Sequence, residues 1–128
     1  MKSNCCSNKK LGTDFEREFV KMLANNGFWA HFIQPDKSGA QPFDVIAIRD
    51  GEPWAFDCKT CIRNVFSIKR MEENQMHAFD KIGHCGCKHI FVAVLHNDEV
   101  YLVKFSDLYK YGSVELNESS LFQQIIHK

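Results

Sequence analysis

Long apolar runs are missing from this chain, and no stretch approaches the length that a bilayer-crossing helix needs, so no transmembrane helix is expected. An excess of charge is missing too. Sixteen Lys and Arg balance sixteen Asp and Glu, which removes whole-molecule attraction to a polyanion, disfavours a nonspecific polyanion binder and leaves any basic surface to local patches. Proline is scarce, with three in 128 residues, and no Pro/Gly/Ser-rich linker, internal repeat or low-complexity block marks a domain boundary. The first ten residues hold no apolar segment of the kind a secretory signal requires, so the protein is expected in the cytoplasm with its six cysteines as thiols.

What is present fits one compact domain. With 45% hydrophobic and 25% charged residues, the chain is long enough to bury a core without covalent staples. Residues 1–10 read as a mobile tail and residues 11–128 as the domain. Thr13 is expected to open a helix in which Phe15, Phe19, Met22 and Leu23 recur at helical spacing until Asn25-Asn26-Gly27 stops it. Residues 28–33 are β-rich and lead into a polar loop, residues 34–42. Residues 44–48 and 53–60 read as a β-hairpin turning at Asp50-Gly51. A second amphipathic helix is expected over residues 67–83, marked by Met71, Ala78, Phe79 and Ile82. Residues 89–95 and 100–105 read as two more strands, and residues 119–126 as a short closing helix. The expected order is αβββαββα, an α/β fold with a mixed sheet flanked by helices.

The hairpin carries the chemistry. Side chains alternate along a strand, so Asp57 and Lys59 share one face while Phe56 and Cys58 take the other. Asp44 opens the partner strand, and a turn at Asp50-Gly51 brings it alongside Asp57. Two carboxylates and an amine then converge, the set that phosphodiester hydrolysis needs: hard Mg²⁺ takes one or two carboxylates and keeps sites for water and phosphate oxygens. Lys59 has three open roles, orienting the attacking water, steadying charge on the phosphorus centre, or transferring a proton with a depressed pKa. The bland alternative is an exposed Asp44 beside two same-face neighbours on a strand.

Two further residues bear on the choice. Glu16 lies at the flank of the first helix's apolar stripe, where it can lean toward the sheet; alternatively Thr13 and Glu16 form a capping box that serves only the helix end. Gln75 sits within the apolar stripe of the second helix and must find a partner, either as a satisfied core amide or as a group facing the site. Lys9 and Lys10, Arg63, Lys69 and Arg70 are the candidate basic patches, with solvated surface as the alternative. The loop of residues 34–42 is suited to contact DNA or to form a dimer arm, with Lys37 on phosphate, or else is a plain connection.

Gly12-Thr13-Asp14-Phe15-Glu16-Arg17-Glu18-Phe19, Asp44-Val45-Ile46-Ala47 and Phe56-Asp57-Cys58-Lys59-Thr60 together resemble the PD-(D/E)xK nucleases, above all the archaeal-type and RecU-like Holliday junction resolvases, over about residues 9–95. The resemblance implies a restriction-endonuclease-like fold and a Mg²⁺-dependent endodeoxyribonuclease, with Mn²⁺ as substitute, acting in DNA recombination as a homodimer that nicks a four-way junction. It implies Asp44, Asp57 and Glu16 as metal ligands or their supports, the backbone carbonyl of Cys58 as a further ligand, Lys59 as the catalytic lysine, and Gln75 as an amide approaching the site. Phe43 stands where a proline often precedes the first aspartate, and the neutral charge departs from the broad basic surface of a junction binder. Rival readings are a restriction- or repair-type endonuclease of the same fold acting on duplex or flapped DNA, and a catalytically silent nucleic-acid-binding domain.

Cys58-x-x-Cys61 with His84-Cys85-Gly86-Cys87-x-His89 raises structural zinc, but its second half is C-x-C, and a continuous strand would send Cys58 and Cys61 to opposite faces. Cys58 reads better as a small core residue. Trp29 and Trp54 are expected in the core, and His31, His77 and His96 as isolated surface or core histidines.

Overall fold

The computed structural model describes residues 8–127 except 36, 39 and 40, with side chains from residue 14 onward. The expected tail over residues 1–7 lies outside the described residues. Helix α1 (Asn8–Asn25) buries Phe15, Phe19 and Leu23 on one face. It ends where Gly27 takes a positive φ of 87°, the left-handed geometry that glycine adopts without strain. Strands β1 (Trp29–Phe32), β2 (Val45–Arg49) and β3 (Glu52–Thr60) follow, then β4 (Val65–Ser67), a 3₁₀ turn (Ile68–Arg70) and α2 (Glu73–His84). Strands β5 (His89–His96) and β6 (Glu99–Lys104), helix α3 (Phe105–Tyr111), β7 (Ser113–Glu115), a second 3₁₀ turn (Glu118–Ser120) and α4 (Phe122–Ile126) complete the described chain.

The main sheet has strand order β1-β2-β3-β5-β6, antiparallel except for the β3–β5 pair. A parallel pair cannot be joined by a hairpin, and here the crossover runs through β4 and α2. Both hairpin turns are two-residue connections with positive φ, at Asp50 (54°) and Gly51 (78°) and at Asn97 (50°) and Asp98 (63°), the backbone twist that tight hairpins favour. One sheet face packs Val45, Ala47, Phe56, Phe91 and Ala93 against Phe15, Phe19 and Leu23 of α1 and Phe122 and Ile126 of α4. The other packs Ala55, Val92, Val94 and Val103 against Phe66, Phe79, Phe105 and Leu108. Among the described residues, no helix is long and apolar enough to cross a membrane.

All eight expected elements occur in the expected order, with several corrections. The first helix begins at Asn8, so Thr13 lies inside it and residues 8–10 belong to it. The second begins at Glu73, because Glu72 and Gln75 form its capping box, while Ser67 caps the preceding 3₁₀ turn instead. The two three-residue strands β4 and β7, which pair with each other, and helix α3 were not expected; elements this short show no readable period. Trp29 is 57% exposed on the edge strand β1, where its ring lies beside that of His31, whereas Trp54 is buried as expected.

Candidate active site

Alternation along β3 works as the sequence suggests. Phe56 and Cys58 face the α1 layer, and Asp57 faces α2, where the Gln75 amide donates to its Oδ1 at 2.9 Å. Asp44 sits one residue before β2, whose register pairs Val45 with Phe56. It is thereby placed across from Asp57, and its own N–H donates to the Phe56 carbonyl at 3.1 Å. Both its carboxylate oxygens are held: Oδ2 accepts the Cys58 backbone N–H at 2.8 Å, and Oδ1 accepts Gln41 Nε2 at 2.6 Å.

Asp57 is fully buried. Its Oδ2 lies 3.4 Å from Lys59 Nζ, yet has no hydrogen-bond partner among the described residues. Lys59 therefore pairs with the carboxyl across a long contact, and among the described residues that oxygen is left under-satisfied, an expensive arrangement in a protein interior. Burial, followed by the charge of Asp44, pushes the Asp57 carboxyl up to about 8 against the opposing pull of Lys59. Glu16, half-buried on α1, is raised to about 7, first by burial and then by Asp44, with Lys59 again opposing. Burial and the charges of Asp44, Asp57 and Glu16 also push up the Cys58 thiol. The cluster is acid-rich and short of positive charge.

The geometry bears on the open alternatives. Helix α1 runs through Thr13, so residues 13–16 lie within the helix, and Glu16 feels the charges of both Asp44 and Lys59. Gln75 is buried and also faces the site: its Oε1 accepts the Glu72 N–H at 3.1 Å while its Nε2 holds Asp57. It positions a carboxylate, with both ends of its amide engaged. Sequence reasoning missed Gln41 and its neighbour Asn74, whose side chain donates to the Gln41 carbonyl at 2.9 Å; a polar residue in an irregular loop carries no periodic signal.

The donor set is hard and all-oxygen. The backbone groups of a residue in a strand point to one edge, so the Cys58 carbonyl shares the edge on which its N–H meets Asp44. Among the described residues, no three His, Cys, Asp or Glu side chains converge tightly enough to enclose a metal alone. The proposed zinc residues are dispersed: His84 Nδ1 contacts the Asp80 carbonyl at 2.8 Å, His89 pairs with Glu52 at 2.5 Å, and Cys87 Sγ points to the Pro53 carbonyl. The four described cysteines are free thiols.

Lys37, Arg63, Lys69 and Arg70 are all exposed. Arg70 also donates to the Thr60 carbonyl at 2.8 Å, just beyond Lys59, and covers the Phe66 ring. Two cavities of about 300 and 680 Å³ lie away from the acidic cluster, beside Phe79 and Tyr109 and beside Arg49 and Trp54. The acidic cluster lines neither of these two cavities.

A family model described as archaeal Holliday junction resolvase (hjc) matches residues 7–121. The crossover junction endodeoxyribonuclease Hjc of Methanocaldococcus jannaschii is 32% identical over 73 residues, which is 57% of this chain and 52% of that protein; the aligned region spans about half the length of this curated relative. A solved structure of Archaeoglobus fulgidus Hjc, a Holliday junction resolvase, matches with a TM-score of 0.59 at 18% identity, covering 84% of this chain and 88% of the other. At that identity the structural match speaks to the fold.

Proposed function

The chain belongs to the archaeal Holliday junction resolvase family, and from that premise we propose that it is a metal-dependent endodeoxyribonuclease hydrolysing phosphodiester bonds in branched DNA, with the four-way junction as its preferred substrate. The observation that carries this reading is Asp57: a fully buried carboxylate with one oxygen that lacks a hydrogen bond among the described residues, 3.4 Å from Lys59 and across the strand pair from Asp44. A structural carboxylate in a core is normally satisfied. One that is not calls for a cation.

Mg²⁺, with Mn²⁺ as substitute, would be held by Asp44 and Asp57, with the Cys58 carbonyl and Glu16 completing or supporting the set. When bound, the divalent ion supplies Lewis acidity, acidifying water and offsetting negative charge that builds on the phosphate. The chain's own residues do the rest. Gln75 fixes Asp57 through Oδ1 and leaves Oδ2 toward the site. Asp44, held through both oxygens, keeps a fixed orientation. Asp57 and Glu16, whose carboxyls are raised to about 8 and about 7, would have to be deprotonated to serve as ligands to a cation. Lys59, with its side chain 16% exposed, points its ammonium at the reacting phosphate, where it orients the attacking water or steadies charge on the phosphoryl oxygens. Lys37, Arg63, Lys69 and Arg70 contact backbone phosphates and place the duplex arms. Two copies acting together would nick two strands of one junction, so the proposed assembly is a homodimer, acting on DNA in the cytoplasm.

The test is cleavage of a labelled four-way junction beside a linear duplex of the same arms, with Mg²⁺, comparing the native chain with Asp57→Ala and Lys59→Ala. Paired symmetric nicks confined to the junction and lost in both variants are expected. Equal cutting of duplex or flapped DNA would replace the junction specificity with a restriction- or repair-type activity, and binding without cutting would make this a silent domain.

A further inference from the structure

The residues that keep Asp44 in place come from two segments far apart in sequence, joined by one hydrogen bond. Gln41 Nε2 donates to Asp44 Oδ1 at 2.6 Å and lies 3.4 Å from the Phe43 carbonyl. The Gln41 backbone carbonyl in turn accepts Asn74 Nδ2 at 2.9 Å. Asn74 belongs to the first turn of α2, and the next residue is Gln75, which holds Asp57 Oδ1 at 2.9 Å. One helical turn thus governs both carboxylates, Asp57 directly and Asp44 through the loop residue Gln41.

From this linkage we infer that Gln41 and Asn74 are positioning residues for the divalent cation: Asn74 sets the loop, and the loop's Gln41 sets the Asp44 carboxylate at the angle the cation requires. The inference rests on the metal-dependent reading above and extends it to two residues outside the acid-x-lysine signature. The physical reason is the cost of aiming a carboxylate. Asp44 stands one residue before β2, with its N–H on the Phe56 carbonyl at 3.1 Å and its carbonyl on the Ile33 N–H at 2.9 Å, so its backbone is fixed and the freedom left is that of the side chain. Its Oδ2 is fixed by the Cys58 N–H, but one hydrogen bond leaves rotation about the side chain, and a second on Oδ1 removes it. Each oxygen retains a lone pair for a cation. Partners that orient metal-binding groups typically control metal affinity by about 10- to 100-fold when removed.

Direct Mn²⁺ binding provides the test, read from the free Mn²⁺ paramagnetic resonance signal during titration of the full chain without DNA, with cleavage as the second readout. Gln41→Ala is expected to weaken Mn²⁺ binding by about 10-fold, to raise the metal concentration at half-maximal cleavage in proportion, and to leave the rate at saturating metal close to native. Asn74→Ala should shift both in the same direction by less. Because the two residues act in series, the double variant should match Gln41→Ala alone, where independent effects would add. Glu73→Ala, exposed in the same helical turn, controls for the helix end and should bind as the native chain does. Native affinity in Gln41→Ala, or full additivity in the double variant, overturns the inference while leaving the nuclease reading intact. A native chain that takes up no Mn²⁺ and cuts nothing overturns both.

Discussion

Two charged side chains are drawn out of water at opposite ends of the β2–β3 hairpin, and their surroundings treat them in opposite ways. Beside the turn, Arg49 donates to the Ile126 carbonyl at 2.6 Å and reaches the Asn26 carbonyl at 3.5 Å, with its guanidinium carbon 4.4 Å from the Phe28 ring centre and 5.4 Å from that of Trp54. Its charge is met by carbonyl dipoles and ring faces, and it ties the end of α1 and the end of α4 to the sheet. At the open end, Asp57 is buried more completely, yet it has one amide bond, an ion pair across a long contact, and another carboxylate across the strand pair. Partners that satisfy a buried charge offset its desolvation, whereas a charge left without them destabilises the fold and keeps a place for a ligand.

The sharpest way to break the contrast is Asp57→Asn, which removes the charge and keeps the shape. Cleavage should fall at least about 100-fold, measured in single turnover at saturating Mg²⁺. The same variant, free of metal at pH 8, should be more stable in urea by on the order of 2 kcal/mol. A variant that is both inactive and less stable would make Asp57 a structural carboxylate. At the other end, Arg49→Ala should cost about 2–4 kcal/mol of stability while leaving the cleavage rate of folded protein unchanged; a selective loss of rate would move Arg49 into the reaction.

The pH response sharpens the comparison further. The Asp57 carboxyl moves from an ordinary 3.8 to about 8, and Glu16 from 4.5 to about 7. Both are raised, so the folded chain holds protons that the unfolded chain has released. Their contribution is fully present below about pH 4 and is lost as pH climbs through about 7 to 8. The stability difference between Asp57→Asn and the native chain should therefore grow with pH across that window and shrink when Mg²⁺ is added. A difference that stays constant with pH would exclude Asp57 as its source. The smallest effects belong to the surface: Lys69→Ala and Arg63→Ala should each reduce the salt slope of junction binding by about one, with unchanged stability, and an unaltered slope would remove those residues from the phosphate contacts.

Much of the site was legible because it lies on a hairpin. A two-residue turn at Asp50-Gly51 dictates which residues stand opposite each other, and alternation dictates which share a face, so the nearness of Asp44 to Asp57 and the pairing of Asp57 with Lys59 follow from spacing. Glu16 was half legible: helical angle put it at the flank of the stripe, but its nearness to Asp44 and Lys59 depends on how α1 lies against the sheet. Trp29 was misjudged because an aromatic in a strand looks the same on an edge as in the centre until the neighbouring layers are known. The β4–β7 pair joins segments nearly fifty positions apart in strands too short to show a period.

By itself, then, the sequence determined the element order, the hairpin register and the identity of the acid-x-lysine set, all set by near neighbours along the chain through side-chain period and turn geometry. Only the tertiary structure decided that Asp57 is buried with one oxygen unmet among the described residues, that Gln75 divides its amide between a helix cap and Asp57, and that Asn74 reaches Gln41 across the molecule. Burial, and the pKa shifts and unsatisfied hydrogen bonds that follow from it, depend on which layers close over a residue, and that is settled by packing between segments distant in sequence.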